Sequence, residues 1–178
     1  RSLRVISPCA FMGCTGLRRV VIEHGLEGLG DEAFSGCSSL TGIVLPDTVK
    51  RIGEGCFEGC ASLTQVRLSE SVYMIGQGAF GYCFNLTHMV IPDSCVLIES
   101  GAFLNCFSLE SVKLSANMAL IDDSLFEGCR SLRDIDLPLK LYKIGRRAFK
   151  GCTALAGIIL PIGVEEVGYD AFADCVSL

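Results

Sequence analysis

The sequence repeats every 23 residues, and no insertion interrupts this period. Each unit carries a phenylalanine, a cysteine three residues later and a leucine three residues further on. A fixed period of roughly 20 to 50 residues is typical of solenoids, in which every unit buries its apolar face against its neighbours. The columns are Phe11, Phe34, Phe57, Phe80, Phe103, Phe126, Phe149, Phe172; Cys14, Cys37, Cys60, Cys83, Cys106, Cys129, Cys152, Cys175; and Leu17, Leu40, Leu63, Leu86, Leu109, Leu132, Leu155, Leu178. We therefore predict a solenoid whose core consists of ladders of like side chains.

Each unit also contains two short apolar segments. In the first, apolar residues alternate with a variable one, as in Ile43 and Leu45, which is typical of a strand that buries one face. A turn, often opened by proline, leads to a second apolar pair such as Val49 and Ile52. The Ala-Phe and Cys spacing that follows fits one turn of 3₁₀- or α-helix. Parallel stacking at about 4.8 Å per strand gives a rod about 35 Å long, rich in β-structure with little helix.

The unit L-x-x-I-x-L-P-x-x-V-x-x-I-G-x-x-A-F-x-G-C resembles the BspA-like, or treponemal, class of leucine-rich repeat. Residues 40–60 and 132–152 match it almost throughout, and the resemblance covers the whole chain. It implies a leucine-rich-repeat solenoid with a parallel β-sheet on the concave side and extended segments with short helical turns on the convex side. It also implies protein binding, and a place on bacterial or protist surfaces for many members of the class.

The chain is expected to form a single leucine-rich-repeat array over residues 1–178, with about seven and a half units. It begins and ends inside a unit, without an initiating methionine, a signal peptide or a polar terminal unit. Solenoids usually need polar terminal units to cover the apolar cross-section at each end. We therefore expect a segment of a longer protein, or ends covered by partners.

Eleven cysteines in a chain of this length could indicate a disulfide framework, a metal site, a nucleophile or simple packing. In-register cysteines of adjacent units stand farther apart than the about 3.8 Å between Cβ atoms that a relaxed disulfide prefers. The sequence holds only two histidines and no C-x-x-C pair, and no base accompanies any one cysteine. We predict reduced, buried thiols that pack as small apolar groups. The predicted structural ladder is Phe34, Cys37, Phe57, Cys60, Phe80, Cys83, Phe103, Cys106, Phe126, Cys129, Phe149 and Cys152.

Several function classes lack the residues they need. The net charge of −5 and the scattered basic residues argue against nucleic-acid binding, which requires a concentrated positive surface. The sequence has no phosphate-binding loop, no zinc-protease, serine-hydrolase or kinase motif, and no apolar stretch long enough to insert into a membrane. We therefore expect no enzyme, no cofactor and no bound metal.

The variable positions of the first strand in each unit are the candidates for binding a protein. On the predicted concave face the central units combine basic, apolar and acidic residues, a mixture that can dock a protein segment. Alternatively this is a solvated sheet face on which opposite charges such as Lys113 and Asp136 pair with each other. The predicted binding residues are Gln65, Arg67, His88, Val90, Ser111, Lys113, Asp134 and Asp136.

Two further groups of residues depart from the repeat. Tyr82, Phe84 and Phe107 place aromatic side chains on the turn side of adjacent units and predict a second protein-binding patch. Glu99 and Asp122 replace glycine, with Asp123 beside the latter. Stacked carboxylates repel unless a cation or a basic neighbour offsets them, so this corner either binds a cation such as calcium or faces solvent or a partner.

The sequence thus predicts a non-enzymatic scaffold that presents a rigid surface to a protein partner. The first alternative is a structural subunit buried in a large multiprotein assembly, and the second is a cell-surface adhesin. Free thiols favour a reducing intracellular compartment, whereas the family resemblance favours a cell surface.

Overall fold

The computed structural model describes residues 3–178, which form a stack of parallel β-units. The part of the chain so described contains two series of short strands and no helix, and hence no helix that could cross a membrane. In chain order the strands are β1 (Val5–Ile6), β2 (Gly28–Leu29), β3 (Gly42–Val44), β4 (Arg51–Ile52), β5 (Gln65–Arg67), β6 (Met74–Ile75), β7 (His88–Val90), β8 (Leu97–Ile98), β9 (Ser111–Lys113), β10 (Leu120–Ile121), β11 (Lys143–Ile144) and β12 (Glu166–Val167).

The longer strands, β3, β5, β7 and β9, come from the first apolar segment of four consecutive units and form the concave sheet. β3 pairs with β5 and β7 with β9, always in parallel and offset by one unit, as in Ile43 opposite Val66. A single bridge from Ser111 to Asp134 extends the sheet by one unit. The strands predicted around Val20 and Ile158 are wrong, because these outer segments do not continue the ladder of backbone hydrogen bonds.

The two-residue strands form a second sheet that follows the stack almost from end to end. Its order is β1-β2-β4-β6-β8, and after an interruption β10-β11-β12. At most units a backbone bond continues the ladder beyond the strand, as from Gly53 N–H to Leu29 O at 2.9 Å and from Gly145 N–H to Ile121 O at 2.7 Å. Within residues 3–178 the equivalent bond from Asp122 to Ile98 is absent, which is where the sheet is interrupted.

Glycine is needed beside the second sheet because adjacent units approach closely there. A Cβ on Gly53 would lie 2.6 Å from the backbone N of Asp31, and one on Gly76 would lie 2.7 Å from the backbone N of Glu54. Real Cβ atoms do not approach backbone this closely, so a side chain here requires the facing backbone to shift. Glu99 and Asp122 occupy this position in the two units that flank the interruption. The unit of Glu99 still keeps its bond to Ile75 O at 2.9 Å, whereas within residues 3–178 that of Asp122 lacks the equivalent bond.

The turn that carries the phenylalanine is not helical, contrary to the predicted 3₁₀ or α-helical turn. Isolated i to i+3 bonds occur, such as Ser35 N–H to Glu32 O at 3.0 Å and Cys37 N–H to Phe34 O at 3.1 Å. Among these hydrogen-bonded turns lie residues with a left-handed backbone conformation, with φ at +54° for Glu32 and +71° for Gly36. A helix cannot continue through residues of opposite handedness, so the segment stays a series of separate turns.

The phenylalanines form a continuous stack through the core. Neighbouring rings lie 5.0 to 5.6 Å apart between centroids and are nearly parallel. From Phe34 to Phe149 every member of the column is fully buried, whereas Phe11 in the first unit is 37% exposed. Each such aromatic contact adds about 0.5–1.5 kcal/mol to the stabilisation from buried area. The stack therefore fills the core continuously from one unit to the next.

The cysteine column consists of free thiols that are hydrogen-bonded, and so is not purely apolar as predicted. From Cys37 to Cys175 each thiol of the column donates to the carbonyl oxygen of a phenylalanine one unit earlier, as from Cys60 Sγ to Phe34 O at 3.2 Å and from Cys106 Sγ to Phe80 O at 3.1 Å. Burial raises the pKa of both thiols to about 12. The column therefore stays protonated near neutral pH, which preserves the S–H donors.

Candidate functional site

A groove of 1180 Å³ runs along the concave sheet over its first four units. The strands β3, β5 and β7 form its floor, together with the segment that precedes β3 by one unit. The alternation of each strand turns the middle side chain inward, such as Ile43, and leaves its neighbours pointing into the groove. Of the predicted residues, Gln65, Arg67, His88 and Val90 line this groove.

The other predicted residues of the concave face lie farther along the sheet, outside this groove. They are Ser111, Lys113, Asp134 and Asp136, and all four are exposed. Ser111 Oγ lies 2.9 Å from His88 Nδ1, so this hydrogen bond links the two parts of the face. Lys113 and Asp136 do not form an ion pair within residues 3–178, so the alternative in which they neutralise each other is not realised.

Exposed valines and two arginines line the groove together. Val21, Val44 and Val90 occupy the same position in their units and are 71%, 59% and 60% exposed. Arg67 takes the same position between Val44 and Val90, and Arg19 stands one row away. The groove thus offers apolar contacts beside two guanidinium groups, with Glu23 as its carboxylate.

Three threonines in consecutive units form one wall of the groove, and they do not belong to the predicted site. Thr41, Thr64 and Thr87 recur at the 23-residue interval, so the repeat itself marks them. Thr64 Oγ1 donates to the carbonyl oxygen of Thr41 at 3.0 Å, and Thr41 Oγ1 makes a longer bond to Arg18 O at 3.4 Å. These bonds tie the wall to the neighbouring backbone and fix its shape.

The structure brings the three predicted aromatic residues of the second patch together and adds a fourth member. The Tyr82 and Phe84 rings meet edge to face at 6.2 Å, and Phe84 stacks on Phe107 at 5.0 Å. Arg130, at the position of Phe107 in the next unit, places its guanidinium carbon 4.7 Å from the centre of the Phe107 ring. A cation at this distance is attracted to the ring face. We call Tyr82, Phe84, Phe107 and Arg130 the aromatic column.

Tyr82 adopts a backbone conformation that is costly for a bulky residue. Its φ is +59°, at a position where other units have glycine, such as Gly36 and Gly59. Asn105 takes the same position in the next unit with φ of +56°, and asparagine tolerates this region better. The surrounding turn therefore holds Tyr82 in a conformation that costs about 1–3 kcal/mol for a residue other than glycine.

The acidic corner is held by hydrogen bonds to backbone. Glu99 Oε2 accepts the N–H of Gln77 at 3.0 Å, and Asp123 Oδ1 accepts the N–H of Arg146 at 2.7 Å. Asp122 Oδ1 accepts the N–H of Asp123 at 2.7 Å. Each of these carboxylates therefore has a donor from the backbone, and in residues 3–178 no group of three metal-ligating side chains converges here or elsewhere.

The comparison with known families rests on the same 23-residue unit. The sequence model for the BspA type leucine rich repeat region matches six copies, over residues 1–106 and 74–178. The chain belongs to this family. No curated protein sequence matches it.

Solved leucine-rich-repeat structures are similar over most of this chain. A leucine rich repeat protein from T. pallidum is 37% identical with a TM-score of 0.82, and the match covers 86% of this chain and 72% of that one. A leucine rich cell surface protein from Faecalibacterium prausnitzii is 23% identical with a TM-score of 0.53, covering 99% and 78% of the two chains. A leucine-rich repeat protein from Bacteroides ovatus is 24% identical with a TM-score of 0.52, covering 99% and 69%. The last two likenesses concern the fold alone.

Proposed function

We propose that this chain is a non-enzymatic scaffold that binds an extended segment of another protein in the concave groove. One observation carries the proposal: exposed valines and Arg67 share one row of the groove, in register across adjacent units. Side chains on neighbouring parallel strands stand about 4.8 Å apart. A partner segment that crosses the strands can therefore meet one such side chain per unit.

The chemistry of the groove favours a partner segment that is both apolar and acidic. Apolar side chains of a partner that cover Val21, Val44 and Val90 stabilise the complex by about 25 cal/mol per Å² of apolar surface removed from water. Arg19 and Arg67 can each hold a carboxylate through paired N–H donors. Because the strands are fixed by the stack, little conformational entropy is lost from the scaffold on binding.

Selection from a displayed library of random peptides tests this proposal. We expect the wild-type chain to enrich peptides that combine acidic and apolar residues. Arg67→Glu should weaken the binding of an enriched peptide at least tenfold, because a charged hydrogen bond contributes about 1.5–3 kcal/mol. The matched control is Lys113→Glu, a reversal of the same sign on the same sheet outside the groove. Peptides that bind both variants equally well, or no enrichment at all, would contradict the proposal.

A second candidate function, a subunit of a multiprotein assembly, is favoured by the aromatic column. Tyr82 and Phe84 are each 37% exposed, and Tyr82 holds a left-handed conformation. Capture from native cell extract separates the two candidates. Loss of a stable set of neighbours with Phe84→Ser, but not with Arg67→Glu, supports the assembly. The opposite pattern supports docking in the groove.

A further inference from the structure

A second exposed apolar surface lies on the second sheet, away from the concave groove and the aromatic column. It is made by the strands β6, β8, β10 and β11 and by the residues next to them, in four consecutive units. Tyr73, Val96, Leu97 and Tyr142 are 47%, 56%, 37% and 49% exposed, an unusual concentration of large apolar side chains on a small solvent-facing surface. We call this surface the second-sheet face, made by Tyr73, Met74, Val96, Leu97, Leu120 and Tyr142.

The two ends of the second-sheet face carry opposite charges. In the unit before the face, the positions equivalent to Tyr73 and Met74 hold Lys50 and Arg51, which are both exposed. In the unit after it they hold Glu165 and Glu166, also exposed. The face is therefore basic at one end of the stack and acidic at the other, with apolar residues between them except for Lys143, which lies beside Tyr142 and pairs with Glu166 of its own chain.

We propose that the second-sheet face binds a second copy of this chain. The two copies are related by a two-fold axis that runs along the strands, between the units of Leu97 and Leu120. This operation reverses the order of the units and places the basic end of each copy against the acidic end of the other. A two-fold interface of this kind brings the same surface of both copies together, so every contact occurs twice.

In the proposed dimer the two stacks run antiparallel, and the charge pattern favours this arrangement over one in which the stacks run parallel. A two-fold axis along the stack would place each unit against its own counterpart, with Lys50 facing Lys50 and Glu165 facing Glu165. Like charges in direct opposition are destabilising, whereas complementary potentials favour association. Only the antiparallel arrangement of two copies matches opposite charges at both ends.

The apolar residues are also matched by the antiparallel arrangement. Tyr73 meets Tyr142 of the second copy, and Leu97 meets Leu120 of the second copy. Tyrosine and leucine supply large contact areas, and two tyrosines can pair by stacking or edge to face. The smallest side chain, Ala119, comes opposite Val96, so a small residue accommodates a branched one. These three pairs are self-complementary, and at the remaining position Met74 comes opposite Lys143 of the second copy.

At each end of the face, Lys50 can pair with Glu165 of the second copy, and Arg51 can pair with Glu166 of the second copy. Within residues 3–178, only the first of these two ion pairs has both side chains unpaired within their own chains. Glu166 already accepts an ion pair from Lys143 at 3.0 Å within its own chain. In the part of the chain that the structure describes, Lys50 and Glu165 have no ion-pair partner. The pair between Lys50 and Glu165 of the second copy is therefore the contact to test.

The size of the face limits how tightly it can bind. The distance from the unit of Lys50 to that of Glu165 is five steps of the stack, or about 24 Å. A strip of this length and two residues in width falls below the about 800 Å² per partner that stable interfaces bury. We therefore expect a weak, salt-dependent dimer with a dissociation constant in the range of about 1 to 100 µM.

Sedimentation equilibrium of the purified chain, between about 1 µM and about 1 mM, tests the proposal. We expect a reversible dimer that Lys50→Glu and Glu165→Lys each weaken at least tenfold. Combining the two changes in one chain should restore the wild-type affinity, because the charges are again opposite in the antiparallel arrangement. Raising the salt concentration should weaken the wild-type dimer.

A pair of matched variants locates the interface. Val96→Asp should abolish the dimer, whereas Val44→Asp, at a similarly exposed valine of the concave groove, should leave it unchanged. Both variants replace an exposed side chain, so circular dichroism should show both folded. A chain that stays monomeric up to the highest concentration overturns the proposal. So does a dimer that Val96→Asp leaves intact, or one that the double charge reversal fails to restore.

Discussion

The ladder cysteine combines a small apolar volume with a hydrogen-bond donor. In each pair of adjacent units the phenylalanine carbonyl accepts the N–H of its own cysteine and the S–H of the next, as at Phe34 O, 3.1 Å from Cys37 N and 3.2 Å from Cys60 Sγ. A buried carbonyl has two lone pairs to satisfy, and the thiol reaches the second one. The spacing of the sequence predicted a buried thiol, but only the structure shows the acceptor.

Thiol reactivity should divide the eleven cysteines into two classes. Cys9 and Cys14 are exposed, and the remaining nine are buried and free. Because burial raises the pKa of thiols such as Cys106, they stay protonated and therefore unreactive. We expect titration with a thiol reagent near pH 8 to modify two cysteines in the folded chain. All eleven should react after denaturation in urea without reductant.

The change Cys9→Ser with Cys14→Ser is the control, and it should remove the fast phase completely. A denatured chain with no reactive thiol would show instead that the cysteines form disulfides. Fast reaction of most thiols in the folded chain would show that the ladder is open to solvent.

At the level of the strand, the glycines fall into two classes that the sequence does not separate. Gly53 has a close neighbour, since a Cβ there would lie 2.6 Å from the backbone N of Asp31. Gly59 has room but a left-handed backbone, with φ of +68°. A recurring glycine therefore marks a left-handed turn at Gly59 and a close approach of two backbones at Gly53.

This difference predicts unequal costs for the same substitution. Gly53→Ala should destabilise the chain by about 3 kcal/mol, because the backbone at Asp31 must shift to admit the methyl group. Gly59→Ala should cost about 1–2 kcal/mol, the price of a left-handed residue with a Cβ. Urea unfolding followed by circular dichroism measures both changes.

A third variant checks the explanation for Gly59. Asparagine tolerates the left-handed region, so Gly59→Asn should cost less than Gly59→Ala. Equal costs for Gly53→Ala and Gly59→Ala would show that the backbone at Asp31 can shift freely.

Across the whole molecule, the thiol column makes stability depend on pH. Burial raises the pKa of Cys60 and Cys106 in the folded chain from an ordinary value near 9 to about 12. Above pH 9 the unfolded chain loses these protons while the folded chain keeps them. Stability is therefore fully present below pH 9 and falls as the pH rises towards 12.

Each such thiol should lower the free energy of unfolding by about 1.4 kcal/mol per pH unit in this window. We expect urea midpoints to fall steeply between pH 9 and pH 11, with contributions from several units. Cys106→Ala should reduce the dependence of the free energy of unfolding on pH by about 1.4 kcal/mol per pH unit, the contribution of one thiol. A midpoint that does not change with pH would contradict the buried, protonated column.

The sequence by itself determined the family, the parallel solenoid and the buried columns, because each unit repeats the same local pattern of apolar residues. A side chain that is buried in one unit is buried in the next when the offset stays at 23 residues, so the periodicity alone predicts the core. It also marked Arg67 and His88 as variable strand positions, and the three aromatic residues of the second patch as departures from the repeat.

The tertiary structure decided everything that depends on the distance between one unit and the next. It shows where the second sheet is interrupted, beside Glu99 and Asp122, and how far the concave groove extends along the strands. It also leaves Lys113 and Asp136 unpaired and exposes the second-sheet face. These features depend on how neighbouring units contact each other, as in the close approach of Gly53 to the backbone of Asp31, which no single unit encodes.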